Sequence, residues 1–113
     1  GIVNGRVSFP GLFGTTVIGA SLGEAASEFS SPIAMDVEPD GRIYVVDAGN
    51  SRIQVFDAEG AYITQWGTPG GGSSQFDFSP TGSLQFAGSI AVDEDGSIYV
   101  ADVGNRRIQK FAP

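Results

Sequence analysis

The chain has 113 residues, enough for one domain, and carries a net charge of −7, with 13 acidic against 6 basic side chains. That balance argues against nucleic acid as a partner, because phosphate binding draws on a basic surface. No apolar stretch is long enough for a helical membrane span. The absence of cysteine and histidine removes thiolate chemistry, His metal ligands, His general bases and Ser-His-Asp triads together.

In chain order, residues 1–13 (GIVNGRVSFPGLF) offer a strand at Arg6, Val7, Ser8 and Phe9, then a turn at Pro10-Gly11. A start at Gly1 rather than Met reads as a processed or excised product, or a start lost in production. Thr15, Thr16, Val17 and Ile18 have the β-branched content of a strand, closed by Gly19. Residues 22–29 (LGEAASEF) suggest a single helical turn. Strands are expected at residues 35–37 and 42–46, with the Asp40-Gly41 turn between them. The run Ile43-Tyr44-Val45-Val46 does not alternate, which suggests a strand covered on both faces. Asp47-Ala48-Gly49-Asn50 reads as a second turn, with Gly49 expected at positive φ. Arg52–Phe56 and Tyr62–Trp66 follow as strands, the latter closed by Gly67. Gly70-Gly71-Gly72-Ser73-Ser74 lacks the spacing and the lysine of a phosphate loop and reads as a flexible connector.

The pattern then returns. Residues 40–56 (DGRIYVVDAGNSRIQVF) reappear as residues 95–111 (DGSIYVADVGNRRIQKF), offset by 55 with no gap. Over residues 35–56 and 90–111, 13 of 22 positions are identical, which marks an internal repeat. Strands are expected again at residues 90–92, 97–101 and Arg107–Phe111, with Gly104 in the place of Gly49. The landmarks Phe29…Pro32 and Phe76…Pro80 also repeat, at a shorter interval, which puts a surplus at residues 81–87. The fold class is therefore all-β, built of antiparallel meanders. The second meander lacks a fourth strand, and residues 15–18 supply one with no meander ahead of it.

The string FxxP followed by (I/V)AVDxDGxIYVADxGNxRIQxF resembles the NHL repeat, a blade of a β-propeller. The second copy, Ile90 through Asp102, follows it closely. The first departs from it at Asp36, where a small Ala is usual, and at Val46. The resemblance covers most of the chain and implies two four-stranded blades in a single propeller segment (1–113). An N-terminal strand region lies at 1–19, a first blade at 29–67 and a second at 76–113, without its outer strand. NHL propellers usually have six blades. Members of the family serve as binding platforms for protein or RNA, as sensor domains, or as amidating lyases.

Two blades do not close a ring, which takes about four to eight. The expectation is self-assembly, with three copies favoured because they supply six blades. Thr15, Thr16, Val17 and Ile18 of one copy would lie along Arg107, Ile108, Gln109 and Phe111 of the next. An extracellular head-to-tail filament is the alternative. The expected role is a non-catalytic scaffold that presents a protein-binding surface, with no cofactor. An extracellular or periplasmic setting is suggested by the scarcity of lysine.

Candidate chemical sites reduce to a few. Asp93-Glu94-Asp95-Gly96 invites a calcium reading, but no downstream ligand series completes it, and a hairpin turn accounts for it. Asp47, Asn50 and Arg52 recur with Gly49 as Asp102, Gly104, Asn105 and Arg107. A residue set present in every repeat is expected to brace a loop, with a polar ring around one propeller mouth as the functional alternative. Tyr62, Trp66, Phe76 and Phe78 are expected to pack between blades. The lyase branch of the family uses a His-held metal, and this chain has no histidine. A metal-dependent hydrolase of lactonase type would have to draw on Asp36, Asp47 or Asn50.

Overall fold

A computed structural model describes residues 15–19, 21–79 and 85–113, and in it each copy of the repeat is an antiparallel meander. The first is a four-stranded sheet in sequential order: β1 (Pro32–Val37), β2 (Ile43–Asp47), β3 (Arg52–Phe56) and β4 (Tyr62–Trp66). Two short strands, β5 (Thr68–Pro69) and β6 (Gln75–Phe76), pair in parallel in the connection. The second sheet is three-stranded: β7 (Ser89–Val92), β8 (Ile98–Asp102) and β9 (Arg107–Phe111). The described residues contain no α-helix. The second and third strands share one register in both sheets: Ile43 faces Phe56 and Asp47 faces Arg52, as Ile98 faces Phe111 and Asp102 faces Arg107.

The first turn of each meander is set by its glycine. Glu38 N–H donates to Arg42 O and Gly41 N–H to Glu38 O, both at 2.8 Å; Asp93, Gly96 and Ser97 repeat the pattern at 3.0 Å. Gly41 (φ +96°) and Gly96 (φ +84°) hold the left-handed position that such a three-residue loop demands. Asp93 Oδ1 accepts from the N–H groups of Asp95 and Ser97, so its carboxylate caps the turn.

β2 and β3 are buried along nearly their whole length, β2 in keeping with its unbroken apolar run Ile43–Val46 and β3 although it carries Arg52 and Gln54. Tyr44, Val46, Ile53 and Val55 of the first sheet share one core with Phe76, Phe78, Ile90, Ile98 and Val100. Each such side chain contributes about 1.5–3 kcal/mol by leaving water. β1 lies against β7, and Asp36 joins them: its carboxylate accepts from Val37 N–H at 2.9 Å and from Val92 N–H at 2.8 Å. Val37 and Val92 are equivalent residues in the repeat, so one carboxylate serves the same donor in both sheets.

Several expectations change. Residues 22–29 form no helical turn. The segment makes one hydrogen-bonded turn, Glu28 N–H to Ala25 O at 3.0 Å, and a parallel bridge between Leu22 and Phe29. Gly49 and Gly104 do not hold positive φ; the left-handed residues are Ser51 (φ 52°) and Arg106 (φ 56°), each closing a short 3-10 turn (Ala48–Asn50 and Val103–Asn105). The two glycines are there for space. A Cβ on Gly49 would come within 2.8 Å of Ser30 Cβ, and one on Gly104 within 2.6 Å of Asp77 Oδ2, because Gly49 N–H and Gly104 N–H donate to the carbonyls of Ser30 and Asp77. Gly104→Val is therefore expected to destabilise by more than about 1 kcal/mol through overpacking, measured as a lower melting temperature. An unchanged melting temperature would contradict this packing.

Residues 15–19 have no ladder partner among the described residues. A lone β-branched segment forms a strand only beside an open edge with which it can pair. Its side chains still pack: Thr16 and Ile18 come up against Gly60, at the β3–β4 turn, where a Cβ would sit 3.0–3.1 Å from them. The loop preceding each meander repeats at an offset of 47, the meander at 55, so the surplus falls between Phe78 and Ala87, bounded by Ala87 N–H donating to Phe78 O at 2.7 Å. The strand and turn expected at residues 6–11, Pro80, and residues 81–84 of the surplus lie outside the described residues.

Candidate functional site

The recurring polar residues meet at the 3-10 turn between the second and third strands. Asp47 ends β2 and Arg52 begins β3, so their cross-strand pairing brings the two side chains together. Arg52 Nε donates to Asp47 Oδ2 at 2.8 Å, with both side chains buried. Asn50 Nδ2 donates to the same oxygen at 3.0 Å, and Asp47 Oδ1 accepts from Ser30 N–H at 2.8 Å. The guanidinium then reaches outward. Nη1 donates to Glu24 O and to Gln65 Oε1, and Nη2 to Ala25 O and Glu28 O, over 2.6–3.1 Å. Asn50 Nδ2 also donates to Gly23 O, and Gln54 Nε2 to Glu28 O. The preceding loop is thus held by four of its carbonyl oxygens.

The second sheet repeats the arrangement except for the Gln65 contact, which belongs to a fourth strand the second sheet lacks. Asp102 Oδ2 accepts from Arg107 Nε at 2.8 Å and from Asn105 Nδ2 at 2.9 Å, and Asp102 Oδ1 accepts from Asp77 N–H at 2.7 Å. Arg107 donates to the carbonyls of Gly71, Gly72 and Gln75, Asn105 to that of Gly70, and Gln109 to that of Gln75. The Gly-rich segment read as a flexible connector is therefore clasped through its backbone. Exposure differs as well: the Arg52 side chain is 5% exposed and that of Arg107 30%.

This arrangement spends its polar atoms on structure. Every carboxylate oxygen of Asp47 and Asp102 accepts at least one internal hydrogen bond, which leaves neither placed as a general base. Gln54 and Gln109 belong to the clasp as much as the residues singled out by sequence: each side-chain oxygen accepts from the N–H of Ser27 or Ser74. The repeated Arg-Ile-Gln string was the available signal for them. Tyr44 and Tyr99, also repeated, donate their hydroxyls to Glu38 and Asp93 at 2.7 and 2.9 Å. Burial and the Glu38 contact raise the Tyr44 hydroxyl above its usual pKa. Burial opposes ionisation of Asp93, but hydrogen bonds from Tyr99, Ser97 and Asp95 hold its carboxyl below the usual range. Among the described residues, no three acidic groups are grouped to hold a metal ion.

Of the aromatics expected between the blades, Phe76 and Phe78 are buried and Trp66 partly so, while Tyr62 on β4 is exposed. Phe76 stacks on Phe78 at 5.2 Å between ring centroids, Trp66 meets Phe111 edge-on at 5.2 Å, and Tyr62 meets Phe56 at 6.2 Å. Of the residues expected along the last strand, Arg107 and Gln109 point into the clasp and Phe111 into the core, while Ile108 faces solvent.

The family comparison finds a repeat at each of the two meanders: the NHL repeat model matches residues 29–56 and 84–111. The chain belongs to the NHL-repeat family. Human NHL repeat-containing protein 3 is 26% identical over 80% of this chain and 38% of its own length. The peptidyl-glycine alpha-amidating monooxygenase of mouse is 38% identical over 84% of this chain and 10% of its own length. The chain thus spans well under half of these curated relatives. NHL repeats suggest a β-propeller scaffold for protein interactions, and the two sheets are consistent with two adjacent NHL blades.

Proposed function

We propose that this NHL chain is a non-catalytic propeller scaffold that completes its ring with further copies of itself and presents its clasped loops to a protein partner. The observation that carries this reading is the placement of residues 15–19. A Cβ on Gly19 would lie 2.7 Å from the Phe29 ring, and a Cβ on Gly67 2.7 Å from the Phe76 ring. Gly67 ends the outer strand of the first blade, so Gly19 ends a segment lying where the outer strand of a preceding blade belongs. Such a segment pairs with a third strand, and β9 offers that edge. Three copies joined in this way make six blades.

Non-catalytic action is supported by the lack of histidine and by the commitment of Asp47 and Asp102 to the clasps. The net charge of −7 supports a protein partner over nucleic acid. A single lysine, Lys110, supports an extracellular or periplasmic setting.

Native mass tests the assembly. The 113-residue chain is expected at about three times its 11.7 kDa, and deletion of residues 1–19 is expected to lower that mass or to cause aggregation. A monomer, or a truncated chain of unchanged mass and melting temperature, would sink the reading; a ladder of larger species would replace the ring with a filament.

A further inference from the structure

The core between the two blades is a joint with two distinct halves. One half is the face of Tyr44, Val46, Ile53 and Val55 on the first blade. The other is made by Phe76, Ile90, Ile98 and Val100 of the second, all in one buried cluster. Side chains alternate across a strand, so each blade has a second face of the opposite type. By the register of the repeat, the second blade's free face carries Tyr99, Ala101, Ile108 and Lys110. The first blade's free face carries Phe29, Met35, Ile43 and Val45.

Exposure measures how far these free halves lack a partner. Ile53 is fully buried, yet its equivalent Ile108 is 71% exposed. Ile90 is 9% exposed, yet its equivalent Met35 is 58% exposed. Met35, Ile43, Val45 and Phe29 line an apolar groove of about 450 Å³, joined at its rim by Ile18 and Leu22. Groove and tongue therefore have the chemistry of two surfaces that already fit each other inside this chain. They differ from that template at three positions: Ala101 stands for Val46, Met35 for Ile90, and Lys110 for Val55, with its ammonium 5.4 Å over the Tyr99 ring. Its methylene stem can line an apolar contact while its head stays in water.

We infer that the groove on the first blade receives the Tyr99–Ala101–Ile108 face of a second copy of this chain, in a head-to-tail joint that repeats the internal one. The inference rests on the self-assembly reading and adds the face-to-face contact to the strand pairing. The two are continuous: Ile18, which lies in the segment proposed to pair with the neighbour's β9, is also part of the groove wall. A joint of two unlike surfaces leaves one of each free on every dimer, so it propagates until a ring closes.

The test uses two full-length variants, Met35→Arg in the groove and Ile108→Arg on the tongue. Both side chains are exposed in the single chain, so folding is expected to survive, checked by far-UV circular dichroism and by Trp66 emission. Each variant alone is expected to lose the native mass of the unmodified chain. An equimolar mixture is expected to form a complex of one copy of each, at twice the protomer mass, because one intact groove and one intact tongue remain. If the unmodified chain assembles and both variants keep its mass, the joint is wrong while self-assembly stands. If the variants dissociate but the mixture does not pair, these faces do not meet each other and the inference falls. If the unmodified chain is itself a monomer, joint and self-assembly reading fall together.

Discussion

Replacing Asp47 by alanine is expected to destabilise the protein by about 3–5 kcal/mol, the cost typical of leaving one member of a buried ion pair alone. Asp47 is fully buried and the Arg52 side chain only 5% exposed, and its guanidinium is bound to the carbonyls of Glu24, Ala25 and Glu28. The variant therefore keeps a buried positive charge and loses the carboxylate that also held Asn50 and the Ser30 N–H. Asp102→Ala removes the same bonds from the second blade but is expected to cost less, about 2 kcal/mol, in line with hydrogen bonds to a charged group. The difference comes from Arg107, whose side chain is 30% exposed and can turn to water. Urea unfolding followed by circular dichroism measures both. Equal losses, or a larger loss at Asp102, would mean that burial of the arginine does not govern the clasp.

Phe76→Ala is expected to cost about 3–5 kcal/mol, the usual range for truncating a buried phenylalanine. The ring is fully buried, stacks on Phe78, meets Phe111 at 6.0 Å and lies so close to Gly67 that a Cβ there would sit 2.7 Å from it. It thus touches the connection and the second blade at once, and its neighbours are held by strands that cannot close around a void. Phe86→Ala serves as the control. Phe86 is 39% exposed, and its truncation is expected to change stability by only about 0.5 kcal/mol. A small loss at Phe76 would show that the connection, and not the ring, joins the two blades.

The meanders were legible because a 55-residue repeat with Asp-Gly turns leaves few ways to arrange the strands, and the observed strands start and end within a few residues of the expected ones. The bracing set Asp47, Asn50 and Arg52 was legible for the same reason. What they brace was not. Their acceptors are carbonyl oxygens, which carry no trace in the sequence, so residues 22–29 were read as a helical turn and Gly70-Gly71-Gly72 as slack. The glycines at 49 and 104 were read by conformation when the cause is proximity to Ser30 and Asp77, a contact with residues many positions away. In the sequence Asp36 stands out as a departure from the family pattern and as a candidate metal ligand, not as a link between sheets. Its role needed the neighbouring sheet in place, since one of its two donors is Val92.

The clasp reaches its loop through main-chain oxygens, and this separates what the loop must do from what it must be. The first loop, LGEAASE, and its counterpart, PGGGSSQ, share only a glycine and a serine, yet the same arginine, asparagine and glutamine hold both in the same way. Most side chains on such a loop are free of folding duty. Mutational drift there is expected to leave the architecture intact while rewriting the chemistry shown on that rim, so two proteins with this scaffold can diverge in partner long before they diverge in shape.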